Sequence, residues 1–445
     1  MNYILPPTTY PVPKNKISPA LPEFELPNGF ENKNAYLEYL VFKGARVMYG
    51  STIPNNVANR LKFELDVVRE KDYADYFLII ADLVRAAREE FNLYVGPGRG
   101  SSASSLICYC LGITKIDPLQ YDLLFEQLVR LDKNILPDID IDCEDGAKDV
   151  LTEYLKDKYN EICVANIIYY IRKRDNMTDI FGYGIHCSGI ALSKEPLSYY
   201  TPLTKVDNKV VTVYDGFRIE DAGPVKIDVL ECDYLKSIHQ ILDLIKDKKH
   251  IDIDLDNIPT DDICTLGAFS RGETKGISLL SLPQLNKYIM SIKNLSFDDL
   301  LALVSLNNPY SKDLIPEFIA RKNGDVQTTY LIPIMGKYLN TTCGMMIYHE
   351  QFMLLIRAIA NFTRAESYEI RKAVCMRKTD KIAIFHEMFI DRGKNKGYST
   401  DILEEIWNSK SPFLVGKSHY VCYTMIAYQM MYLKVHYPDD FFEVL

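Results

Sequence analysis

Three aspartates occupy alternate positions in the segment NILPDIDIDCED, residues 134–145: Asp138, Asp140 and Asp142. Because successive side chains of a β-strand point to opposite faces, the three carboxylates would share one face. Carboxylates that lie this close raise one another's pKa unless a cation binds them. The segment therefore predicts either a metal-binding strand or a strand with a solvated acidic face.

A second segment, IDIDLD at residues 251–256, has the same alternation, so the pattern alone does not separate these two readings. No glycine-rich loop precedes this copy, and the turn-forming residues NIPTDD, 257–262, follow it directly. We therefore assign it to a surface strand with an acidic outer face.

A glycine–serine loop precedes the first aspartate segment and contains Gly98, Arg99, Gly100 and Ser101. Glycine lets the backbone approach a ligand closely, and a helix predicted to follow would offer free N–H groups to a phosphate. Arg99 adds a guanidinium that suits phosphate oxygens. A plain loop at a helix start would explain the same residues. The order of loop, helix and Asp-x-Asp strand is nevertheless that of a nucleotidyltransferase site.

A third carboxylate is available in VKIDVL, where Lys226 and Asp228 share one strand face and the apolar residues share the other. Asp228 could equally be a charge at a strand end. With Asp138 and Asp140 it would complete a site for two Mg²⁺ ions, with Mn²⁺ as an alternative, since these cations prefer carboxylates and substrate phosphates. Lys226 would then meet a phosphate or the leaving oxygen.

Hydrophobic periodicity predicts the elements that must position these residues. The 445 residues suffice for two to four domains, and residues 1–33 are proline-rich and expected to be extended. Helical periodicity covers residues 34–50, 55–92, 146–160 and 234–248, strands are predicted at 161–171, 188–193 and 223–230, and the chain after about residue 260 is almost wholly helical. The predicted fold class is α+β.

Composition excludes several classes of protein. No run of about 18 apolar residues predicts a membrane span, and the first residues lack the layout of a signal peptide. Ten scattered cysteines without a CxxC pair indicate reduced thiols rather than disulfides or zinc. We therefore expect a cytoplasmic protein. The net charge of −9 argues weakly against nucleic-acid binding.

The C-family DNA polymerases, which are the alpha subunits of bacterial DNA polymerase III, have palm motifs that closely resemble four segments of this chain. These are VGPGRGSSASSLICYCLGITKIDPLQYDLLFEQ, LPDIDIDC, GIHCSGIALS and VKIDVL. The later segments LLALVSLNNPYSKDLIPEFIARKNG, TTCGMMIYHEQFMLLIRAIANFTRAESYEIRKAV and GKSHYVCYTMIAYQMMYLKVHYPDDFF are similar to that family's fingers. The resemblance implies a nucleotidyltransferase-like (polymerase beta-like) palm with a mixed sheet, followed by a large, mostly helical fingers domain.

The resemblance also implies a protein encoded by a bacterium or a phage, and it implies roles for individual residues. Asp138, Asp140 and Asp228 match the catalytic, metal-binding aspartates, whereas Asp142 belongs to the motif without being a ligand. The residues that match nucleotide-binding positions are Gly98, Arg99, Gly100, Ser101, Lys226, Arg371, Lys372, Arg377, Lys378, Lys417 and His419. For the last two, in the sequence KSH, a helix start capped by Ser418 is the structural alternative.

The implied domains are an extended segment (1–33), a first part of the palm (34–171), a short linker (172–184), a second part of the palm (185–232) and the fingers (233–445). The family inserts a helical thumb where this linker stands, and its PHP, clamp-binding and tail domains have no counterpart in the chain. Basic residues of the family are replaced by Gln127, Ile185 and Asn308, and its MGKK is CMRK here.

The expected activity is DNA-directed DNA synthesis of low processivity, in which deoxynucleotides are added to a primer 3′ end by a two-metal mechanism. Primer–template DNA and dNTPs are the implied partners, and another replication protein could supply clamp or thumb-like contacts. One alternative is a catalytically reduced paralogue that binds nucleic acid or replisome proteins. Another is a template-independent transferase or primase-like enzyme.

Overall fold

The computed structural model describes residues 18–173, 176–278 and 280–445. Most of the segment predicted to be extended, residues 1–17, thus lies outside the described residues. The chain divides into two compact units. The first contains the residues up to Ser102 together with Leu106–Lys115 and Leu136–Lys236, and the second contains Ala103–Ser105, Ile116–Ile135 and Ser237–Leu445. Within the described ranges, no helix has the length and apolar character needed to cross a membrane.

A six-stranded mixed sheet forms the centre of the first unit, which confirms the predicted α+β class. Its strands are β1 (Asp140–Glu144), β2 (Val164–Lys173), β3 (Asn176–Leu192), β4 (Leu203–Val206), β5 (Lys209–Asp215) and β6 (Val225–Cys232), in the spatial order β1-β6-β3-β2-β5-β4. The β1–β6 and β2–β5 pairs are parallel and the other pairs are antiparallel. Apolar side chains of β1 and β6, such as Ile141 and Ile227, are buried.

Helices of the first unit are α1 (Lys33–Tyr49), α2 (Asn55–Glu70), α3 (Ala74–Glu89), α4 (Leu106–Cys110), α5 (Ala147–Tyr159) and α6 (Gly216–Ala222), and α7 (Asp233–Lys249) follows β6. The single helical stretch predicted for residues 55–92 is two helices, because Asp72 adopts a left-handed conformation with a φ of 57°. The Asp215 carboxylate caps α6 by accepting the N–H of Arg218.

The second unit is mostly helical, as predicted. It contains α8 (Ile263–Ser270), α9 (Pro283–Met290), α10 (Phe297–Leu306), α11 (Ile315–Asn323), α12 (Pro333–Leu339), α13 (His349–Ala360), α14 (Arg364–Cys375), α15 (Thr379–Asn395), α16 (Thr400–Asn408), α17 (Lys417–His436) and α18 (Pro438–Val444). A short parallel pair, β7 (Met346–Tyr348) and β8 (Lys410–Val415), accompanies them. One core cluster surrounds the buried Trp407, whose ring lies 5.6 Å from that of Phe352 and 5.3 Å from that of Phe389.

Two local expectations differ from the structure. Residues 251–254 are irregular and Leu255–Asn257 form a 3₁₀ turn, so the surface strand predicted for IDIDLD is wrong. The Asp254 carboxylate accepts the N–H of Asp256 and the side-chain N–H of Asn257, which favours a turn over a strand. Residues 172–184, expected as a linker, belong to the β2–β3 hairpin except for the two residues outside the described range.

Candidate active site

Three carboxylates meet at the β1–β6 edge of the sheet. Asp140 and Asp228 are register partners in the parallel β1–β6 pair, and Asp138 lies two residues before Asp140. One carboxylate oxygen from each residue lies within 4.8 Å of the other two. Between the first two aspartates, the N–H of Ile139 donates to the hydroxyl oxygen of the buried Tyr76 at 3.1 Å. This contact fixes the backbone that presents both carboxylates.

The electrostatics of this cluster favour a bound cation. Burial and the neighbouring Asp138 and Asp228 carboxylates raise the pKa of Asp140 to about 7. The pKa of Asp138 is also raised, chiefly by burial. Without a cation, the carboxylates must either take up protons or repel one another. Bound divalent cations would neutralise their charge instead. The donors are carboxylate oxygens, which suit hard cations such as Mg²⁺ and Mn²⁺.

Asp142, the third aspartate of the strand pattern, forms an ion pair instead of joining the cluster. Its Oδ1 lies 2.9 Å from Nη1 of Arg99, and its side chain is 2% exposed. Burial raises the pKa of Asp142 to about 6 although Arg99 opposes that rise. Arg99, predicted to contact triphosphate oxygens, therefore holds a buried carboxylate next to the cluster.

The glycine–serine loop lies directly against the cluster. Gly98 and Gly100 have φ values of 129° and 57°, which favour glycine. A Cβ atom added to Gly100 would lie 3.1 Å from Oδ2 of Asp140. The loop backbone at Gly100 thus lies close to the Asp140 carboxylate.

The helix after this loop differs from the expected phosphate-binding helix. A 3₁₀ turn at Ser102–Ser104 precedes α4, which has only five residues. The Glu64 carboxylate accepts the N–H groups of Leu106 and Ile107, each at 3.0 Å, and pairs with Arg60 at 2.6 Å. The first amides of α4 are therefore bonded to a buried side chain, and they are not free for phosphate.

Two side chains hydrogen-bond to Asp228, and His186 lies near them. Lys226 is hydrogen-bonded to Asp228 Oδ2, and the Ser188 hydroxyl donates to Asp228 Oδ1 at 2.9 Å. Burial opposes protonation of Lys226, but the hydrogen bond and the nearby carboxylates outweigh it and raise its pKa. His186 Nδ1 accepts the N–H of Gly189 at 3.0 Å, and burial lowers the pKa of its ring. Ser188 and His186 were not assigned from the sequence, although the segment GIHCSGIALS contains both.

The predicted basic residues of the fingers lie in the second unit. Arg371 on α14 donates to Gln127 Oε1, and its guanidinium lies 4.7 Å from the centre of the Tyr368 ring. Lys372 is part of the same helix and is partly buried. Arg377 has a φ of 51° and lies over the Tyr310 ring at 5.5 Å, while Lys378 precedes α15 and is exposed.

Lys417 is buried at the start of α17, where its Nζ lies 5.5 Å from the centre of the Tyr348 ring. Its backbone N–H donates to Glu350 Oε2 at 3.0 Å, so Glu350 satisfies the helix start instead of Ser418. Burial lowers the pKa of Lys417 although Asp298 counteracts it. His419 is exposed, and its ring packs edge-on against Tyr423 at 4.6 Å.

Each residue that departs from the family pattern has a structural contact. Gln127 accepts the hydrogen bond from Arg371 and points its side-chain amide at Met353 Sδ, 3.4 Å away. Ile185 packs against the apolar cluster that contains Ile168. The Asn308 side chain closes the turn after α10 by accepting the N–H groups of Tyr310 and Ser311.

Comparisons with known proteins agree with this architecture. The family model described as bacterial DNA polymerase III alpha NTPase domain matches residues 35–181, and the one described as bacterial DNA polymerase III alpha subunit finger domain matches residues 234–397. The DNA polymerase III subunits alpha of Staphylococcus epidermidis and Staphylococcus aureus are 32% and 31% identical to the chain over 486 residues. These alignments include 95% of this chain and 45% of each relative, so the chain spans about half the length of the curated relatives it matches.

Proposed function

We propose that this chain, which belongs to the family of bacterial DNA polymerase III alpha subunits, adds deoxynucleotides to a primer 3′ end on a DNA template. The observation that carries the proposal is the cluster of Asp138, Asp140 and Asp228, whose oxygens lie within 4.8 Å of one another. Two parallel strands and a hydrogen-bonded tyrosine hold these carboxylates, and the raised pKa values of Asp138 and Asp140 support a role for the cluster in cation binding.

In the proposed mechanism, Asp138, Asp140 and Asp228 would hold two divalent cations. When bound, these cations would lower the pKa of the attacking 3′-hydroxyl and neutralise charge on the triphosphate. Ser188 and Lys226 orient the Asp228 carboxylate through their hydrogen bonds. The backbone of the loop at Gly98–Ser101 receives the triphosphate, and its closeness to Asp140 supports this role.

Arg99 and the second unit's basic residues take more limited roles in this proposal. Arg99 fixes Asp142 and the shape of the loop, and its side chain, 24% exposed, can still contribute charge near the triphosphate. Arg377 and Lys378 are exposed and are proposed to contact nucleotide or template. Arg371, Lys417 and His419 retain their assignment from the family.

Low processivity is proposed from the β2–β3 hairpin. Only two residues separate Lys173 from Asn176, so no helical insert can stand between these strands. The family's thumb at this place would otherwise grip the primer–template duplex. Binding to duplex DNA should therefore depend strongly on phosphate contacts and on salt concentration.

Primer extension with Mg²⁺ at low salt tests the function, with templated and single-stranded primers compared side by side. Asp140→Ala should abolish incorporation. The matched control is Asp252→Ala, which changes an exposed aspartate in the look-alike IDIDLD segment and should leave incorporation intact. Extension of the single-stranded primer would favour an untemplated transferase. Absence of incorporation with dNTPs and with NTPs would favour a nucleic-acid-binding role or a required partner.

A further inference from the structure

Cys375 is an exposed thiol at the end of α14, and it contacts a buried histidine of α13. Its Sγ lies 3.5 Å from Nε2 and 3.8 Å from Nδ1 of His349. Only 9% of His349 is exposed, and within the described part of the chain its ring has no other hydrogen-bond partner. A buried polar ring that faces one exposed sulfur indicates a role at that sulfur.

The surroundings of His349 keep its ring neutral. Burial and the Arg371 guanidinium lower the pKa of His349 to about 3. A neutral imidazole carries one N–H and one lone pair. Because both ring nitrogens lie near Sγ, the ring can accept the S–H of Cys375, and it can donate its N–H to the sulfur once the proton has left.

The segment around Cys375 is strongly basic. Residues 371–378 contain no acidic residue and four basic ones: Arg371, Lys372, Arg377 and Lys378. Cys375 is exposed together with the last two of these. Exposed thiols in electropositive surroundings are the reactive cysteines of proteins, and such surroundings concentrate anions. The thiol is also absent from the family's MGKK, which is CMRK here.

A second exposed cysteine offers an internal comparison. The ten cysteines all lie in the described ranges, and the exposed ones are Cys187, Cys264 and Cys375. Two aspartates, at 261 and 262, directly precede Cys264, and the nearby Arg271 is paired with Glu273. Anionic reagents should therefore be attracted to Cys375 and not to Cys264.

We propose that Cys375 is a modification site that forms a mixed disulfide with a small, negatively charged disulfide, the oxidised form of a thiol that bears carboxylates. The Cys375 sulfur attacks one sulfur of the reagent, so that a new S–S bond forms and the reagent's own S–S bond breaks. The released thiol carries the proton that Cys375 loses. His349 positions the attacking sulfur, while Arg377 and Lys378 attract the reagent.

The mixed disulfide would close the basic segment to phosphate. It places bulk and carboxylates at the end of α14, next to Arg377 and Lys378, which are proposed to contact nucleotide or template. This consequence rests on the proposed function, whereas formation of the disulfide does not. Incorporation would stop when the disulfide forms and resume when excess thiol reverses the exchange.

Two reagents of opposite charge test the modification site. The reduced protein is treated separately with glutathione disulfide, which is net negative, and with cystamine, which is net positive. Peptide mass spectrometry follows the modification of each cysteine. The ratio of the glutathione disulfide rate to the cystamine rate should be about tenfold higher at Cys375 than at Cys264, and the difference should shrink at high salt. Equal ratios at the two cysteines would overturn the proposal.

Variants of the basic segment sharpen this test. Arg377→Ala and Lys378→Ala should each lower the glutathione disulfide rate at Cys375 about threefold without slowing cystamine. The matched control is Lys394→Ala, which changes an exposed lysine in the last turn of α15 and should leave both rates unchanged. Unchanged rates in all three variants would contradict the attraction of the reagent by the segment.

His349 is tested as a positioning residue. His349→Leu should slow both reagents at Cys375 about fivefold and leave their ratio unchanged, because the ring acts on the sulfur and not on the charge of the reagent. His349→Gln keeps an N–H donor and should retain most of the rate. Equal slowing in both variants would contradict this role. The charge ratio and the Arg377 and Lys378 variants decide the proposal even where His349→Leu does not fold.

Primer extension separates this proposal from the proposed function. Wild type treated with glutathione disulfide should lose most of its incorporation and regain it with dithiothreitol, whereas Cys375→Ser should incorporate before and after treatment. Wild type that shows the charge ratio at Cys375 but no incorporation would contradict the polymerase function and support the modification site. An equal loss in Cys375→Ser, or full modification of Cys375 without any loss, would overturn the block at the basic segment.

Discussion

Asp140 and Asp228 are register partners in adjacent parallel strands, so their carboxylates project from the same face of the sheet. Asp138 joins them from the residues just before β1, and the three side chains come from segments 88 residues apart at their closest, from Asp140 to Asp228. This arrangement brings three negative charges together at one sheet edge. Four predictions follow from it and from the contacts that hold it.

Mg²⁺ should stabilise the folded protein through this cluster. At saturating Mg²⁺ and about pH 8, we expect the free energy of unfolding to rise by about 1–3 kcal/mol, since a ligand that binds only the folded state stabilises it. Asp228→Asn should remove most of that rise. Thermal unfolding with Mg²⁺ or with EDTA measures the difference.

The control for this prediction is Asp142→Asn, which alters the other aspartate on β1. Asp142 is paired with Arg99 and lies outside the cluster, so its variant should be less stable but should keep the Mg²⁺-dependent rise. An equal response to Mg²⁺ in wild type and in both variants would show that the cation binds elsewhere.

Without metal, the stability should fall as the pH rises. The pKa of Asp140 is raised to about 7 by burial and by Asp138 and Asp228, compared with about 4 in an unfolded chain. The contribution of this carboxyl to stability is therefore fully present below about pH 4 and is lost as the pH rises through about 7. Between about pH 5 and pH 8, urea unfolding in EDTA should show wild type losing about 1–3 kcal/mol relative to Asp140→Asn. Parallel pH profiles for the two proteins would refute this expectation.

Gly100→Ala should impair the site without unfolding the protein. Its methyl group would lie 3.1 Å from Asp140 Oδ2, and its φ of 57° is strained for alanine. We expect a loss of about 1–2 kcal/mol in stability from the backbone, together with weaker Mg²⁺ stabilisation and a higher KM for dNTP. Gly324→Ala is the control, because it has a φ of 81° with nothing within 4 Å of an added Cβ. An identical Mg²⁺ response in both variants would mean that the loop does not touch the cation site.

Glu64 should be essential for the start of α4. Glu64→Gln removes the ion pair with Arg60 and weakens the bonds to the Leu106 and Ile107 amides. We expect a loss of about 2–4 kcal/mol in the free energy of unfolding, measured with urea, because the carboxylate is fully buried. Glu70→Gln, at an exposed position of α2, should change stability by less than about 0.5 kcal/mol. A similar loss in both variants would contradict the role of Glu64.

Local patterns in the sequence were sufficient for much of the fold. Alternation and helical periodicity reflect which face of each element is buried. They therefore predict the strands around PDIDID and VKIDVL, the helices at 34–50 and 146–160, and the helical second half. The cluster of Asp138, Asp140 and Asp228 was also identified from the sequence, through the neighbouring glycine loop and the family resemblance. These signals are encoded in residues close to one another along the chain.

Only the tertiary structure decided which of the similar aspartates join the carboxylate cluster. Asp142 pairs with Arg99 instead of joining the cluster, and IDIDLD forms a turn although its alternation equals that of PDIDID, because only the first segment has β6 as a parallel partner. Glu64 occupies the amides expected to bind phosphate, and Ser188 and Lys226 reach Asp228 from neighbouring positions of the sheet. Such contacts depend on strand register and on which distant side chain satisfies a buried charge, and a local pattern does not contain that information.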